Sequence, residues 1–208
     1  MVLTMTACGS AEPASAPSVA DSDKAALQEK LNKQDSKKVL VAYFSRADEN
    51  YKVGTIEKGN TQIVAEFIAS EVNADSFHIQ TQTPYPADYD ECCDVAKKEL
   101  ADKARPKIKG DVGNMDQYDI VFLGYPIWWG DMPMAVYAFM DSYDFSGKIV
   151  IPFNTHEGSG GSGTYSSIKS YLPNAQVLDG MAIQGKTAQQ FSSDTQKSVS
   201  DWLNSLGF

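Results

Sequence analysis

The sequence has few of the residues that bind metals or form disulfides. Its 208 residues include two histidines and three cysteines, and two of the cysteines, Cys92 and Cys93, are adjacent. A disulfide framework needs an even, spaced set of cysteines, and the Cys, His and acidic residues do not cluster with the spacing of zinc ligands. We therefore expect neither a disulfide scaffold nor a metal site.

A long apolar run and an excess of positive charge are also missing. No stretch approaches the ~18 to 20 apolar residues that a membrane-crossing helix requires, so we expect no transmembrane span. The formal net charge is −9, which argues against nucleic acid and against anionic membrane surfaces as partners. The length suits one domain with a sizeable core.

Residues 1–37 differ in composition from the rest of the chain. They are rich in Ala, Ser, Pro and charge, so they are predicted to be a tail or linker. Within them, Leu27 and Leu31 are spaced as one face of a short helix between Asp23 and Asn32. The letters MTAC followed by GS resemble the end of a bacterial lipoprotein signal, which implies a lipid anchor at Cys8 and a membrane-anchored, extracytoplasmic protein. A cytoplasmic location is the alternative.

Beyond residue 37, five apolar runs alternate with helical patterns. The runs predict strands at 37–45, 74–80, 118–124, 148–154 and 176–178, and the longest helical pattern closes the chain from about 188 to 206. Such alternation is typical of an α/β fold with a mostly parallel sheet and helices on both faces. We predict a doubly wound five-stranded parallel sheet in the order 2-1-3-4-5. In that order a ligand crevice lies at the carboxyl ends of strands one, three and four.

The third strand runs directly into two tryptophans. Ile120 to Gly124 show no polar alternation, as expected for a central strand covered on both faces, and Trp128 and Trp129 follow in a turn-rich loop. One interpretation is that both rings fill a gap in the core. Side chains of adjacent extended residues diverge, however, so both rings enter one core with difficulty. The alternative is a flat ligand that rests on this loop.

Two further loops follow strands one and four. Strand one ends at Ser45 and Arg46, and a helix opens at Gly59-Asn60-Thr61, where free N–H groups suit a phosphate; the alternative there is an ordinary N-cap. Strand four is followed by Thr155-His156-Glu157 and a glycine-rich run at 158–163, which suits close backbone approach to a flat group or else a flexible linker. A phosphate and a flat ring indicate a nucleotide-like cofactor, and FMN fits best.

Four stretches carry a resemblance to the flavodoxin family, in its bacterial flavodoxin-like branch: VLVAYFSR, GNTQIVAEFIA, YDIVFLGYPIWWGDMPMAVYAF and FSGKIVIPFNTHEGSGGSG. The resemblance implies that residues 38–208 form an FMN-binding domain. It further implies three groups of cofactor-binding residues: the phosphate contacts Ser45, Arg46, Asn60 and Thr61; one side of the ring at Pro126, Ile127, Trp128, Trp129 and Gly130; and its other edge at Thr155, His156, Glu157, Gly158, Ser159 and Gly160.

The sequence departs from that family at one place. Familiar flavodoxins run directly from a Ser or Thr into the Gly-Asn-Thr turn, whereas here residues 47–58 intervene. The insert changes the expected phosphate geometry, or else it covers the site.

The resemblance implies an FMN-dependent electron carrier or oxidoreductase that acts with a redox partner protein or a small quinone-like acceptor. His156, beside the predicted ring, is the candidate catalytic proton donor, because its ordinary pKa lies near neutrality; a hydrogen-bonding scaffold role is the alternative. Two other functions stay open. One is an NAD(P)H-dependent quinone or azo reductase on the same fold, although no nicotinamide fingerprint is present. The other is a tethered binding module that has lost flavin.

Overall fold

The computed structural model describes residues 20–32 and 38–208. Helices and strands alternate through the described chain. The helices are α1 (Asp21–Asn32), α2 (Asn60–Glu71), α3 (Tyr89–Asp102), α4 (Met134–Asp141), α5 (Thr164–Tyr171), α6 (Gly185–Gln190) and α7 (Ser193–Leu206). The strands are β1 (Lys38–Phe44), β2 (Asp48–Asn50), β3 (Gly54–Ile56), β4 (Asp75–Ile79), β5 (Tyr118–Pro126), β6 (Ile149–His156), β7 (Gln176–Val177) and β8 (Met181–Gln184).

The main sheet is parallel and has the order β4-β1-β5-β6-β7, with β8 paired to the end of β6. The predicted order 2-1-3-4-5 is therefore confirmed for the five expected strands. Strands β1, β5 and β6 are buried along almost their whole length, because helices cover both faces of a doubly wound sheet. Their carboxyl ends meet at one edge.

Alternate residues of each central strand enter two separate cores. In β1, Val41 packs with Val64 of α2 and Trp202 of α7 on one face. Leu40 points the other way and packs in a cluster with Phe139 of α4. This alternation follows from the period of two along a strand, and it produces a helix–sheet–helix sandwich.

The helix predicted between Asp23 and Asn32 is confirmed as α1, which packs against the domain. Leu27 is fully buried in the core that contains Trp202. The Gln28 side chain donates a hydrogen bond to the Gly207 carbonyl over 2.9 Å, and Asp23 accepts one from Gln176 over 3.0 Å. The rest of the predicted tail, with the predicted lipid anchor at Cys8, lies outside the described residues.

Several elements differ from the sequence-based expectation. The insert 47–58 contains an antiparallel hairpin of β2 and β3, an unpredicted strand β8 extends the sheet, and β6 continues to His156 rather than ending at 154. The predicted closing helix is divided because Phe191 has a left-handed backbone with φ 35° and Ser192 then caps α7. Across the described ranges no helix is long and apolar enough to cross a membrane.

Candidate functional site

A cleft of about 540 Å³ opens at the carboxyl edge of the sheet. It lies where β1 and β5 are neighbours but their connections leave in opposite directions, the position at which open α/β sheets bind ligands. The ends of β1, β5 and β6, the hairpin and the first turns of α3 surround it. The lining residues are Arg46, Asn50, Tyr51, Asn60, Tyr89, Asp90, Cys92, Cys93, Asp94, Ala96, Pro126, Ile127, Trp128, Trp129, Thr155, His156 and Glu157.

The N-terminus of α2 forms one end of this site. Gly59 occupies the N-cap position and supplies no side-chain cap. The Gln62 N–H instead donates to Ser45 Oγ over 3.0 Å, so the Ser45 hydroxyl hydrogen stays free to donate. A Cβ on Gly59 would lie 2.2 Å from Ser45 Oγ and 2.5 Å from the Arg46 carbonyl oxygen. Only glycine lets β1 approach the helix this closely.

Thr61 and Asn60 anchor the first turn of α2 to the strands and helices around it. The Thr61 and Thr155 hydroxyls share a buried hydrogen bond of 2.8 Å, which ties α2 to the end of β6. Asn60 Oδ1 accepts a hydrogen bond from Gln189 of α6 over 2.8 Å. The Asn60 Nδ2 and the Glu157 carboxylate both lie close to Gly185 of α6, where an added Cβ would be 2.3 and 2.2 Å from them.

Arg46 was predicted to contact the phosphate, and its guanidinium forms hydrogen bonds with backbone carbonyls. Its guanidinium donates to the carbonyls of Pro86 (3.1 and 2.5 Å) and Ala87 (2.5 Å), and to the Glu49 carbonyl (2.5 Å). Ser45 and Arg46 point in opposite directions because they are adjacent in extended chain. Arg46 consequently joins the hairpin to the loop before α3.

The two tryptophans lie in a tight turn. Trp128 and Asp131 exchange two backbone hydrogen bonds of 2.8 and 3.0 Å, and Trp129 and Gly130 between them have φ values of 52° and 79°. Two positive φ values match a type I′ turn. A positive φ is unusual for a bulky residue and marks local strain. Asp131 stabilises the turn by accepting hydrogen bonds from its Met132 neighbour's N–H and from the Tyr137 hydroxyl.

The two indole rings diverge, as expected for neighbours in the chain. Trp128 is half-buried, with edge contacts to Phe44 and Tyr85 at 5.2 and 5.1 Å between ring centres. It therefore fills space beside the sheet as well as lining the cleft. Trp129 is 52% exposed, and its Nε1–H donates to the Cys93 carbonyl of α3 over 3.0 Å.

The glycine-rich loop is held against the sheet by buried polar side chains. Asn154 is fully buried; its Nδ2 donates to the Gly160 carbonyl over 3.0 Å and its Oδ1 accepts from the Tyr165 hydroxyl over 2.5 Å. His156 Nδ1 accepts a hydrogen bond from the Gly158 N–H over 2.9 Å. These bonds argue against a free linker. Burial lowers the pKa of His156 below its usual range, so the neutral form with a proton on Nε2 is favoured at pH 7.

Comparison with known proteins identifies the family of this chain. The profile described as flavodoxin matches residues 38–206. The chain belongs to the flavodoxin family. No curated protein sequence matches it closely enough to be compared.

Solved structures share the flavodoxin fold over most of the chain. A protein from Bacteroides eggerthii DSM 20697 that has been assigned as a flavoprotein is 29% identical, with a TM-score of 0.67 over 83% of this chain and 99% of its own. A similarly assigned protein from Bacteroides uniformis ATCC 8492 is 28% identical, with a TM-score of 0.66 over 82% and 99%. A flavoprotein in complex with FMN from Lactobacillus acidophilus NCFM is 20% identical, with a TM-score of 0.58 over 76% and 100%.

Most of the site residues predicted for this flavodoxin line the cleft. The structure brings together Arg46, Asn60, Pro126, Ile127, Trp128, Trp129, Thr155, His156 and Glu157. Of the other predicted residues, Ser45, Thr61, Gly130 and Gly158 lie next to lining residues in the chain without being among them. Ser159 and Gly160 lie two and three residues beyond Glu157, the last lining residue of that loop. Within the described ranges, no group of three His, Cys, Asp or Glu side chains is arranged to hold a metal.

The sequence analysis named no residue of one wall of the cleft as a site residue, although it gave covering of the site as one alternative for the insert 47–58. This wall consists of Asn50 and Tyr51 from the hairpin and, from α3, Tyr89, Asp90, Cys92, Cys93, Asp94 and Ala96. The sequence signal that could have indicated this wall is the presence of two tyrosines, Tyr51 and Tyr89, in otherwise polar segments. The two cysteines are free, and burial raises the pKa of the Cys92 thiol to about 11. That thiol is protonated at neutral pH and therefore a weak nucleophile.

Glu157 is the polar residue of the cleft with unmet hydrogen-bonding capacity. Both carboxylate oxygens are buried and have no hydrogen-bond partner at ordinary geometry. Burial raises the pKa of Glu157, although the nearby Gln184 side chain, Lys52 and the Lys186 N–H partly oppose the shift. Two buried acceptors beside Asn60 can receive hydrogen bonds from a ligand.

We expect Glu157→Gln to stabilise the ligand-free protein at pH 7. Because the pKa is raised in the folded state, folded protein binds the proton more tightly, and the free energy of unfolding falls as pH rises through the unfolded and then the folded pKa. A neutral glutamine removes this loss. Thermal unfolding should show a Tm higher by roughly 1–3 °C at pH 7, with the difference shrinking toward pH 4. The exposed Glu57→Gln is the control, and equal Tm values for Glu157→Gln and the parent at pH 7 would refute the argument.

Proposed function

We propose that this flavodoxin-family protein binds FMN in the cleft and transfers electrons through it. The observation that carries the proposal is the meeting of three segments at the switch point of the sheet: the N-terminus of α2 without a side-chain cap, the tryptophan turn 128–131 and residues 155–157 at the end of β6. Helix N-termini favour phosphate, and aromatic faces favour a flat ring.

The residues present fit FMN. The close approach enforced at Gly59 leaves the Ser45 hydroxyl and the first N–H groups of α2 together, and these groups would hold the phosphate. Glu157 offers two buried carboxylate oxygens with unused acceptor capacity, which suits a ligand rich in hydroxyl and N–H groups such as the ribityl chain and the flavin ring. Trp128, which packs beside the sheet, would hold the ring on one side, and His156 to Gly158 would hold it on the other.

When bound, FMN supplies one- and two-electron redox chemistry. The chain would orient the cofactor, exclude water and set the electrostatic surroundings. Among the described residues, the cleft is lined by the cationic Arg46, whose guanidinium donates to carbonyls, and by the acidic Asp90, Asp94 and Glu157. This acidic lining opposes extra negative charge on the cofactor. An electron carrier is proposed ahead of an NAD(P)H-dependent reductase because the sequence carries no nicotinamide fingerprint.

Anaerobic mixing experiments test this function. FMN-loaded protein, reduced photochemically, should lose its electrons within seconds when mixed with a soluble quinone or with a one-electron acceptor protein. Oxidised FMN-loaded protein mixed with NADPH alone should stay yellow. Rapid bleaching by NADPH would support the reductase instead. A protein that stays colourless after incubation with FMN would support a binding module that has lost flavin.

The predicted proton-donor role of His156 gives a pH signature. Since burial lowers its pKa below 6.5, we expect the rate at which reduced FMN-loaded protein reduces a quinone to fall as pH rises from 5 to 7. His156→Gln should abolish that pH dependence. The second histidine is a matched control, because His78 is half-buried, stacks on Tyr43 and bonds to the Ser45 carbonyl. A parental pH profile in His156→Gln would show that His156 only supports the loop.

A further inference from the structure

Three aromatic rings from separate segments lie at the rim of the cleft, on the wall formed by the hairpin and α3. Tyr51 of the hairpin stacks on Tyr89 of α3 with 6.0 Å between ring centres and 20° between ring planes. Trp129 lies on α3 through its bond to the Cys93 carbonyl. All three residues line the cleft. None belongs to the buried core, because Tyr51 is 54% and Trp129 52% exposed.

This wall is fixed in place. Besides the Arg46 bonds to Pro86 and Ala87, the hairpin contacts the start of α3 through Glu49. The Glu49 N–H donates to the Ala87 carbonyl over 3.3 Å, and the Glu49 carboxylate accepts from the Tyr89 N–H over 3.1 Å. A surface whose rings are already positioned loses less entropy when a ligand binds.

Two features show that the exposed rings serve something other than stability. Holding the bulky Trp129 at a φ of 52° costs free energy, and its ring recovers little burial in return. Exposing Tyr51 on a polar insert likewise contributes little to the core. Strained and exposed aromatic residues that face a cleft are typical of ligand contacts.

The charged residues on this wall limit which class of ligand it can bind. Asp90 and Asp94 line the same wall, while the nearest ammonium groups, Lys52 and Lys97, already lie over the rings of Tyr51 and Trp129 at 5.3 and 5.1 Å. The wall therefore offers aromatic faces beside carboxylates. Such a surface favours a neutral or cationic flat molecule over an anionic one.

We infer that Tyr51, Tyr89 and Trp129 form an acceptor site for a neutral or cationic planar aromatic molecule of the quinone class. The inference rests on the proposed function, because such a molecule would receive its electrons from FMN bound in the same cleft. Arg46 is a positioning residue for this site. It keeps Tyr51 against Tyr89 rather than contacting the ligand.

Equilibrium binding to the oxidised, FMN-loaded full chain tests the inference without any turnover. The probes are 2-(hydroxymethyl)anthraquinone, which is neutral, and anthraquinone-2-sulfonate, which is anionic; neither adds readily to thiols. We expect saturable quenching of tryptophan fluorescence by the neutral probe and several-fold weaker binding of the sulfonate. Tyr51→Leu and Tyr89→Leu should each weaken the binding of the neutral probe roughly three- to tenfold. Tyr51→Phe should bind this probe with parental affinity.

The FMN affinity of each variant separates the possible failures. We expect the FMN affinity of the Tyr51 and Tyr89 variants to stay within about twofold of the parent, since these two tyrosines lie on the hairpin and α3 and not among the residues that would hold the flavin. A protein that takes up no FMN overturns the proposed function. If FMN binds but the neutral probe does not, or if Tyr51→Leu binds the probe like the parent, the acceptor site alone is wrong. The acceptor site is equally wrong if Tyr51→Leu weakens the binding of FMN as much as it weakens the binding of the probe.

Discussion

Replacing Gly59 by alanine should weaken FMN binding by at least about 100-fold, equivalent to roughly 2.7 kcal/mol. The added Cβ would lie 2.2 Å from Ser45 Oγ and 2.5 Å from the Arg46 carbonyl oxygen. Because the second contact is with backbone, rotating a side chain cannot relieve it. The end of β1 must then move away from α2, which breaks the bond from the Gln62 N–H to Ser45 Oγ and separates the groups that would hold the phosphate.

The backbone conformation of Gly59 makes this substitution informative. Its φ of −65° suits alanine, so the effect comes from the contact and not from the dihedral angle. Gly113→Ala is the control, because Gly113 has a φ of 73° and open space around it, in the loop before β5 at the opposite edge of the sheet. It should lose some stability but keep parental FMN affinity, measured by fluorescence titration. Parental affinity in a folded Gly59→Ala protein would mean that the phosphate does not bind at α2.

Leu27→Ala should destabilise the protein by about 2–4 kcal/mol, the usual cost of truncating a buried leucine. Leu27 is fully buried in the core with Trp202, although it belongs to residues that composition alone identifies as a tail. For a chain of this size the loss corresponds to a Tm decrease of roughly 5–12 °C in calorimetry.

Leu31→Ala gives the internal comparison for that experiment. Leu31 lies one turn further along α1 and is only partly buried, so its truncation should cost clearly less. If α1 leaves the domain in solution, both variants will unfold at the parental temperature. That result would restore the interpretation of residues 20–32 as part of a linker.

The strand order was predictable because a doubly wound sheet depends on hydrophobic patterns that are local in the sequence. Strands β1, β5 and β6 are apolar runs without alternation, each followed by helical periodicity, and the connection rules then leave few topologies. The hairpin 48–56 carries no such pattern. Its strands are three residues long and polar, and they are held by side chains and backbone groups from other segments rather than by a core face of their own.

Those residues of the candidate site that lie in a loop directly after a strand could be predicted from the sequence. Trp128, Trp129 and His156 could be placed at strand ends from the sequence. Arg46 could also be placed there, but its hydrogen-bond partners could not be predicted, since they are carbonyls about 40 residues away in the chain. The α3 wall was missed for a related reason: helical periodicity shows which face of α3 is buried but not which residues border a cleft that other segments complete.

The measurement that tests the account most directly is a titration of the purified full chain with FMN, followed by flavin fluorescence and visible absorbance. We predict stoichiometric 1:1 binding with a Kd below about 1 μM, equivalent to about −8 kcal/mol, and strong quenching of flavin fluorescence by the tryptophan turn. Riboflavin, which lacks the phosphate, should bind at least tenfold more weakly. Flavin signals that stay those of free FMN at every protein concentration would contradict the account.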